Sequence, residues 1–114
     1  SYTNFAYSDL KISSKSIPMS GEITVSATIT NTGNRAGKET AILYLRDEYA
    51  MLTPQGKRVK RFAKISLEPK ESKIVTFKLT REDFSFINLD NKPIVEAGDF
   101  TVMLGNLSEK FNVR

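Results

Sequence analysis

The chain has 114 residues, a length typical of one domain, and a net charge of +4 from 17 basic and 13 acidic residues. It contains no cysteine and no histidine, which excludes disulfides, thiol nucleophiles, cysteine- or histidine-based zinc sites and imidazole catalysis. No apolar run approaches the roughly 20 residues that a membrane-spanning helix needs, and this modest charge does not by itself indicate nucleic-acid binding.

The first half of the chain predicts three strands. The first covers residues 5–13, with a bulge near Ser8 and Asp9 because the apolar residues there do not alternate strictly. A loop over 15–21 follows. Residues 23–30 then alternate apolar and hydroxyl side chains, which predicts a strand over 22–30 with one buried face. Residues 31–37 form a turn rich in residues that tolerate positive φ.

The third predicted strand, residues 39–49, carries apolar side chains on both faces, so we expect both faces to be covered. Residues 48–60 form a loop long enough to be functional or held by a partner. Strands over 62–67 and 72–80 follow, and the second of these alternates cleanly.

The last third of the chain predicts one helical turn after Thr80, because an N-cap residue is followed by acidic residues. A short strand over 94–96, a strand over 98–105 and an edge strand over 110–113 complete the pattern. Seven or eight short strands without helical periodicity predict an all-β fold. The expected form is a two-sheet antiparallel β-sandwich of the fibronectin type III or immunoglobulin kind.

Three carboxylate pairs are the first candidates for chemistry, because two carboxyl groups that flank a sugar can hydrolyse a glycoside. They are Asp47 with Glu48, Glu82 with Asp83, and Glu96 with Asp99. Neighbours on a strand point to opposite faces, so the adjacent pairs are not placed to flank one substrate. We therefore interpret all six as solvated turn residues.

Two further patterns allow binding functions. The basic run over 57–64 could contact phosphates, but lysines also protect exposed sheet edges, and we interpret it as a solvated or interface edge. Scattered tyrosines without tryptophan favour core or interface roles over sugar stacking. Asn106 begins a formal N-glycosylation sequon, which is a weak signal on its own.

Six motifs, in order, resemble the C-terminal fibronectin type III-like domain of family 3 glycoside hydrolases of the β-glucosidase and β-xylosidase type. They are SYTNFAYS over 1–8, NTGNRAGKE over 31–39, LYLRD over 43–47, VKRFAKISLEPKES over 59–72, DFSF over 83–86 and VEAGDFTVMLG over 95–105. Two positions depart from the family pattern: Lys70 replaces a usual glycine, and Ala97 replaces a usual proline.

This resemblance implies a single domain over 1–114 that is part of a larger multidomain enzyme, in keeping with a sequence that does not begin with methionine. The catalytic carboxylates of the family lie in two upstream domains, so we expect no catalytic residue, cofactor or metal here. The implied role is a non-catalytic accessory domain that packs on and stabilises catalytic domains hydrolysing terminal β-glycosidic bonds. A periplasmic or secreted location is implied, without nucleic-acid partners or membrane insertion.

The expected contacts with the catalytic domains involve the segment at residues 2–7 and the loop at 49–60. The candidate interface residues are Tyr2, Phe5, Tyr7, Tyr44, Tyr49, Met51, Leu52 and Arg58. The alternative is a free-standing β-sandwich that binds carbohydrate or protein. The absence of tryptophan, together with the two-sided third strand, favours the accessory role.

Overall fold

A computed structural model describes residues 3–48, 56–87, 89–95 and 97–114. The elements are β1 (Phe5–Ile12), β2 (Ser16–Ile17), β3 (Ile23–Asn31), β4 (Gly37–Asp47), β5 (Arg58–Leu67), β6 (Ser72–Leu79), α1 (Arg81–Phe84), β7 (Phe86–Ile87), β8 (Pro93–Ile94), β9 (Gly98–Leu104) and β10 (Leu107–Val113).

The strands form two packed sheets. One has the order β1-β3-β6 and the other the order β2-β10-β9-β4-β5, while β7 and β8 form a separate pair. All pairs are antiparallel except β2 with β10. This arrangement confirms the predicted all-β, two-sheet sandwich.

The core lies between the two sheets and is built from alternate residues of their central strands. On β3, Ile23, Val25, Ala27 and Ile29 are all buried, as their alternation predicts. Across from them lie Ala41, Leu43 and Leu45 of β4, and Phe100, Val102 and Leu104 of β9. Each fully buried Val, Leu, Ile or Phe side chain among them stabilises the fold by roughly 1.5–3 kcal/mol.

Two β-bulges interrupt the ladders. The pairing of β1 with β3 shifts between Ser8 and Lys11, and Asp9 has a φ of 54°, which confirms the predicted first bulge. In the second bulge, Leu43 pairs with Arg61 and the next residue, Tyr44, pairs with Val59. Lys60 is therefore the extra residue on β5, and side chains on either side of it fall out of simple alternation.

Several boundaries differ from the sequence prediction. The strand predicted over 110–113 is present as part of β10, which begins at Leu107, but its predicted place at the sheet edge was wrong, because β2 lies beyond β10 in the sheet order. The loop predicted over 15–21 contains β2, where Ile17 pairs with Val113 and is 4% exposed. Strand β5 begins at Arg58, four residues earlier than predicted, because the bulge hides its alternation.

Strand β4 has one fully covered face. Ala41, Leu43 and Leu45 point into the core, whereas Ile42 and Tyr44 on the other face are half-buried. Both faces of β4 were expected to be covered. Within the described residues, this expectation is met for the inner face only. The outer face therefore remains partly open within that part of the chain.

The single helical turn predicted after Thr80 is present as α1. Thr80 is the N-cap, and the backbone N–H of Thr80 donates to Asp83 Oδ2 at 2.8 Å. The turn places Phe84 in a ring cluster with Phe100 and Phe111, with centroids 5.6–5.7 Å apart. Over the described ranges, no helix is long and apolar enough to cross a membrane.

Candidate domain interface

The N-terminal segment contacts the turn between β3 and β4. Thr3 Oγ1 donates to Asn31 Oδ1 at 2.8 Å, and the backbone N–H of Thr32 donates to the carbonyl of Asn4 at 2.9 Å. A Cβ at Gly33 would collide with Thr3 Oγ1, and one at Gly37 would lie 2.6 Å from Thr3 Cγ2. These glycines therefore serve close approach of the backbone.

Although this turn is rich in residues that tolerate positive φ, neither Gly33 nor Gly37 has a positive φ. The turn is instead organised by the side chain of Asn31, which is completely buried. Its Nδ2 donates to the carbonyls of Arg35 and Leu67 at 2.7 and 3.1 Å, and its Oδ1 accepts from Thr3 and from the Gly33 backbone. Every hydrogen-bonding group of the amide is thus satisfied without water.

Two candidate interface residues, Phe5 and Tyr7, lie against the core of their own domain. They point inward from β1 and pair with Asn31 and Ile29 of β3. The ring of Tyr7 lies against Gly105, whose φ of 62° and lack of a Cβ leave room for it. These contacts occupy Phe5 and Tyr7 within the domain.

The hydroxyl of Tyr7 donates to Glu39 Oε2 of β4 at 2.9 Å, which links the two sheets. Burial, and then the hydrogen bond to the charged Glu39, raise the pKa of Tyr7 well above its usual range. The hydroxyl therefore stays protonated and acts as a donor.

Tyr44 and Arg58 occupy different surroundings. Tyr44 lies on the outer face of the five-stranded sheet, and Lys57 Nζ sits 4.3 Å from the centre of its ring. Arg58 Nη1 lies 3.5 Å from the carbonyl of Ser85, beyond α1. The structure therefore does not gather the described candidate residues at one place. The remaining candidates, Tyr2, Tyr49, Met51 and Leu52, lie outside the described residues.

A larger apolar surface surrounds Tyr44. Cross-strand partners share a face of a sheet, and Tyr44 is paired with Val59 on one side and Met103 on the other, while Ile42 is paired with Phe62. We call these five residues the outer apolar patch: Ile42, Tyr44, Val59, Phe62 and Met103. Val59 is 58% exposed and Phe62 is 65% exposed. Val59, Phe62 and Met103 were not among the predicted interface residues. The bulge at Lys60 hides that Val59 and Phe62 share a face, and only the pairing of β4 with β9 brings Met103 beside Tyr44.

The carboxylate pairs lie in different surroundings, and among their described residues Asp83 is the one that is buried. Asp83 is 8% exposed, so its interpretation as a solvated turn residue was wrong. Arg61 donates to both of its oxygens, with Nη1–Oδ1 at 3.0 Å and Nη2–Oδ2 at 2.8 Å. Burial alone would raise the pKa of Asp83, but the hydrogen bonds from Arg61 and the Thr80 backbone outweigh it and hold that pKa below its usual range.

Glu48 is exposed and lies at the end of β4, where its Oε2 accepts from Thr101 and from the guanidinium of Arg46 at 3.0 Å. These two hydrogen bonds, that of Thr101 first, lower the pKa of Glu48. Glu82 and Asp99 are also exposed, and Glu96 lies outside the described residues. Within the described ranges, no group of three or more acidic side chains converges as a metal site would require.

The basic run is split among separate contacts. Lys57 covers the ring of Tyr44, Arg58 points to Ser85, and Arg61 binds Asp83. Lys64 remains exposed on the outer face of β5. The run therefore does not present one continuous row of free cations.

Comparison with known proteins identifies the family of this fold. A family model described as the fibronectin type III-like domain matches residues 39–108. The chain belongs to that family. This fibronectin type III-like domain superposes on part of a β-glucosidase from Erythrobacter marinus with a TM-score of 0.93 and 34% identity, covering 99% of this chain and 16% of that one.

Two curated relatives carry the same domain as a small part of their length. A β-xylosidase of Formosa agariphila is 41% identical over 109 residues, covering 96% of this chain and 15% of the relative. A periplasmic β-glucosidase of Salmonella typhimurium is 39% identical over 105 residues, covering 92% of this chain and 14% of the relative. The predicted resemblance to the fibronectin type III-like domain of family 3 glycoside hydrolases is confirmed.

Proposed function

We propose that this chain is a non-catalytic accessory domain of a β-glucosidase- or β-xylosidase-type glycoside hydrolase. It packs on the catalytic domains, which hydrolyse terminal β-linked glucose or xylose, and it stabilises them. The observation that carries this proposal is the superposition of nearly the whole chain on 16% of a β-glucosidase at a TM-score of 0.93. This domain therefore corresponds to a small part of such an enzyme, and most of the enzyme's length lies outside it.

The carboxylates of the domain support a non-catalytic role. Glycoside hydrolysis needs one carboxyl group that can give up a proton and a second that is free to attack or to activate water. Asp83 is bound by Arg61, Glu39 by Tyr7, and Glu48 by Arg46 and Thr101. These carboxylates are already used in contacts that hold the strands and α1 together.

The test compares the full-length polypeptide that contains this domain with a version from which residues 1–114 are deleted. We expect the deletion to lower the unfolding temperature of the remaining domains and to reduce hydrolysis of aryl β-glucosides and β-xylosides. The purified 114-residue chain should hydrolyse neither substrate. Turnover by that chain, abolished by Asp47→Asn combined with Glu48→Gln, would contradict a non-catalytic role.

The same chain also tests the binding alternative. Retention of the purified 114 residues on an insoluble glucan, without the catalytic domains, would support a carbohydrate-binding module instead. We expect the chain to remain in the unbound fraction at all glucan concentrations.

We also propose that the polypeptide acts in the periplasm or outside the cell. The similarity to the periplasmic β-glucosidase of Salmonella typhimurium supports this location. Fractionation of the source cells tests it: the protein should appear with periplasmic or secreted markers, and its recovery with cytoplasmic markers would contradict the proposal.

A further inference from the structure

The outer apolar patch has the composition of an interface centre. It contains two aromatic rings and a methionine, residue types that are enriched where proteins meet. Phe62 is 65% exposed and Val59 is 58% exposed, although each lies beside other apolar side chains on the same sheet face. A contiguous apolar surface of this kind on a small domain marks an interaction site more often than scattered single residues do.

Cations surround this patch. Lys38 lies on the same face of β4 as Ile42, Lys64 is paired with Thr40 on that face, and Lys110 is paired with Thr101. Lys57 lies over the ring of Tyr44. The described acidic side chains on this face are fewer than these four lysines: Glu48 forms an ion pair with Arg46 at 3.0 Å, and Asp99 accepts a hydrogen bond from the neutral Asn112 at 3.1 Å. The rim is therefore positive.

The outer face of the other sheet is different. On β3 it consists of Thr24, Ser26, Thr28 and Thr30, which pair with Lys78, Thr76, Ile74 and Ser72 of β6. Ile74 is 72% exposed, but its neighbours on that face carry hydroxyl groups. The two sheets thus present one polar face and one apolar face with a positive rim.

We infer that the outer apolar patch is the surface on which this domain docks to a neighbouring domain of its own polypeptide. The inference rests on the proposed accessory function and names the surface that would serve it. The partner surface has an apolar centre that receives Phe62 and Val59, and carboxylates at its edge that face Lys38, Lys64 and Lys110. Such charge complementarity fixes the orientation of one domain on the other.

The positive rim argues against two other occupants. In a symmetric dimer through this face, the same patch meets itself, which would bring the lysines of one copy towards those of the other. A sugar ring would need an open aromatic face with polar groups beside it. Lys57 Nζ lies over the ring of Tyr44, and the exposed ring of Phe62 is paired with Ile42, which offers no hydrogen bond to sugar hydroxyls. An acidic protein surface satisfies both the apolar centre and the positive rim.

Chemical labelling of the full-length polypeptide tests this surface. The 114 residues contain no cysteine, so Phe62→Cys and Ile74→Cys each introduce one thiol into a peptide that mass spectrometry can identify. Ile74 is the matched control, because it is an exposed apolar residue on the opposite outer face. The alkylation rate of each thiol is measured in the native protein and divided by its rate in denaturant.

We expect the thiol of Phe62→Cys to react about tenfold or more slowly than that of Ile74→Cys in the full-length polypeptide. In the separate 114-residue chain, the two should react at similar rates. Slow reaction in the separate chain would mean that residues of this chain cover the patch, and would overturn the inference. Protection that is lost on dilution of the full-length polypeptide would indicate a second copy and would also overturn it.

A charge reversal tests the rim independently. Lys64→Glu should lower the urea concentration at which the domains separate, whereas Lys11→Glu, an exposed lysine on β1, should leave it unchanged. Equal effects of the two variants would contradict an acidic partner surface. If deletion of residues 1–114 destabilises the enzyme but the two thiols react equally, the docking surface is wrong and the accessory function stands. If deletion has no effect, the accessory function itself fails.

Discussion

Arg61 on β5 holds Asp83 on α1 through two parallel hydrogen bonds, 22 residues apart in sequence. Planar guanidinium and carboxylate groups form this bidentate pair more strongly than single neutral hydrogen bonds. The same carboxylate accepts from the backbone N–H of Thr80, so one buried side chain fixes both the helical turn and its place against the sheet.

Removing the negative charge of this pair should destabilise the domain. Asp83→Asn keeps the shape of the side chain, but its amide nitrogen cannot accept a hydrogen bond and the remaining contact with Arg61 loses its ionic partner, so we expect a loss of about 2 kcal/mol in the free energy of unfolding. Urea unfolding followed by circular dichroism measures it. Asp9→Asn is the control, because Asp9 is exposed at a bulge where asparagine fits its positive φ. A loss no larger in Asp83→Asn than in this control would contradict the assigned role.

The same pair predicts a dependence of stability on pH. The pKa of Asp83 in the folded state lies below its ordinary value of 3.8. The contribution of the charged carboxylate is therefore complete above that ordinary value and is lost as the pH falls through the folded-state pKa.

This dependence is measured as the difference in unfolding free energy between the original chain and Asp83→Asn, from pH 7 down to pH values below 3.8. We expect the difference to be constant near neutral pH and to shrink at acidic pH. The comparison cancels the parallel contributions of Glu48 and Glu82, whose pKa values are also lowered. A difference that grows on acidification would show that the predicted direction of the pH dependence is wrong.

The buried amide of Asn31 predicts a large effect of substitution. Asn31→Ala removes four hydrogen bonds, to the carbonyls of Arg35 and Leu67 and from Thr3 and Gly33, so we expect a loss of about 3 kcal/mol or more. Thermal unfolding checks this.

The control for that measurement is Asn34→Ala, in the same turn. Asn34 is exposed, so this change should alter the unfolding free energy by less than about 0.5 kcal/mol. Similar losses in the two variants would mean that the turn as a whole, and not the buried amide, accounts for the effect.

Lys70 occupies a backbone conformation that favours glycine. Its φ is 65°, and its Nζ donates to the carbonyl of Thr32 at 2.6 Å. The family pattern has glycine at this position, and the left-handed backbone supplies the physical reason. We expect Lys70→Gly to be more stable than Lys70→Ala by about 1 kcal/mol, since both lose the Nζ contact and only alanine keeps the backbone strain. Equal stability of these variants in urea unfolding would contradict the presence of backbone strain at residue 70.

Local patterns predicted the parts of the fold that local chemistry determines. Alternation identified β3 and β9, a break in alternation identified the bulge at Ser8, and the N-cap at Thr80 identified α1. In each case the signal lies within a few neighbouring residues, and the structure follows it to within two residues.

Features that depend on distant partners were not predictable in this way. Strand β2 has two residues and forms because backbone N–H groups at the end of β10 donate to the carbonyls of Lys15 and Ile17. The bond between Arg61 and Asp83 joins residues far apart in the chain. Val59 and Phe62 differ by an odd number, so strict alternation places them on opposite faces, and only the bulge at Lys60 brings them together. The sequence therefore allowed Tyr44 to be predicted as an interface residue, but not its neighbours Val59 and Phe62.

The hydrogen bond between Tyr7 and Glu39 should also lower the fluorescence of Tyr7 in the folded domain. A carboxylate that accepts from an excited phenol takes up its proton and quenches its fluorescence. The chain has four tyrosines and no tryptophan, so no indole emission masks this effect within the domain. We expect unfolding to separate the phenol from its acceptor and to restore the emission of Tyr7, which would make that emission an optical reporter of whether the two sheets remain joined.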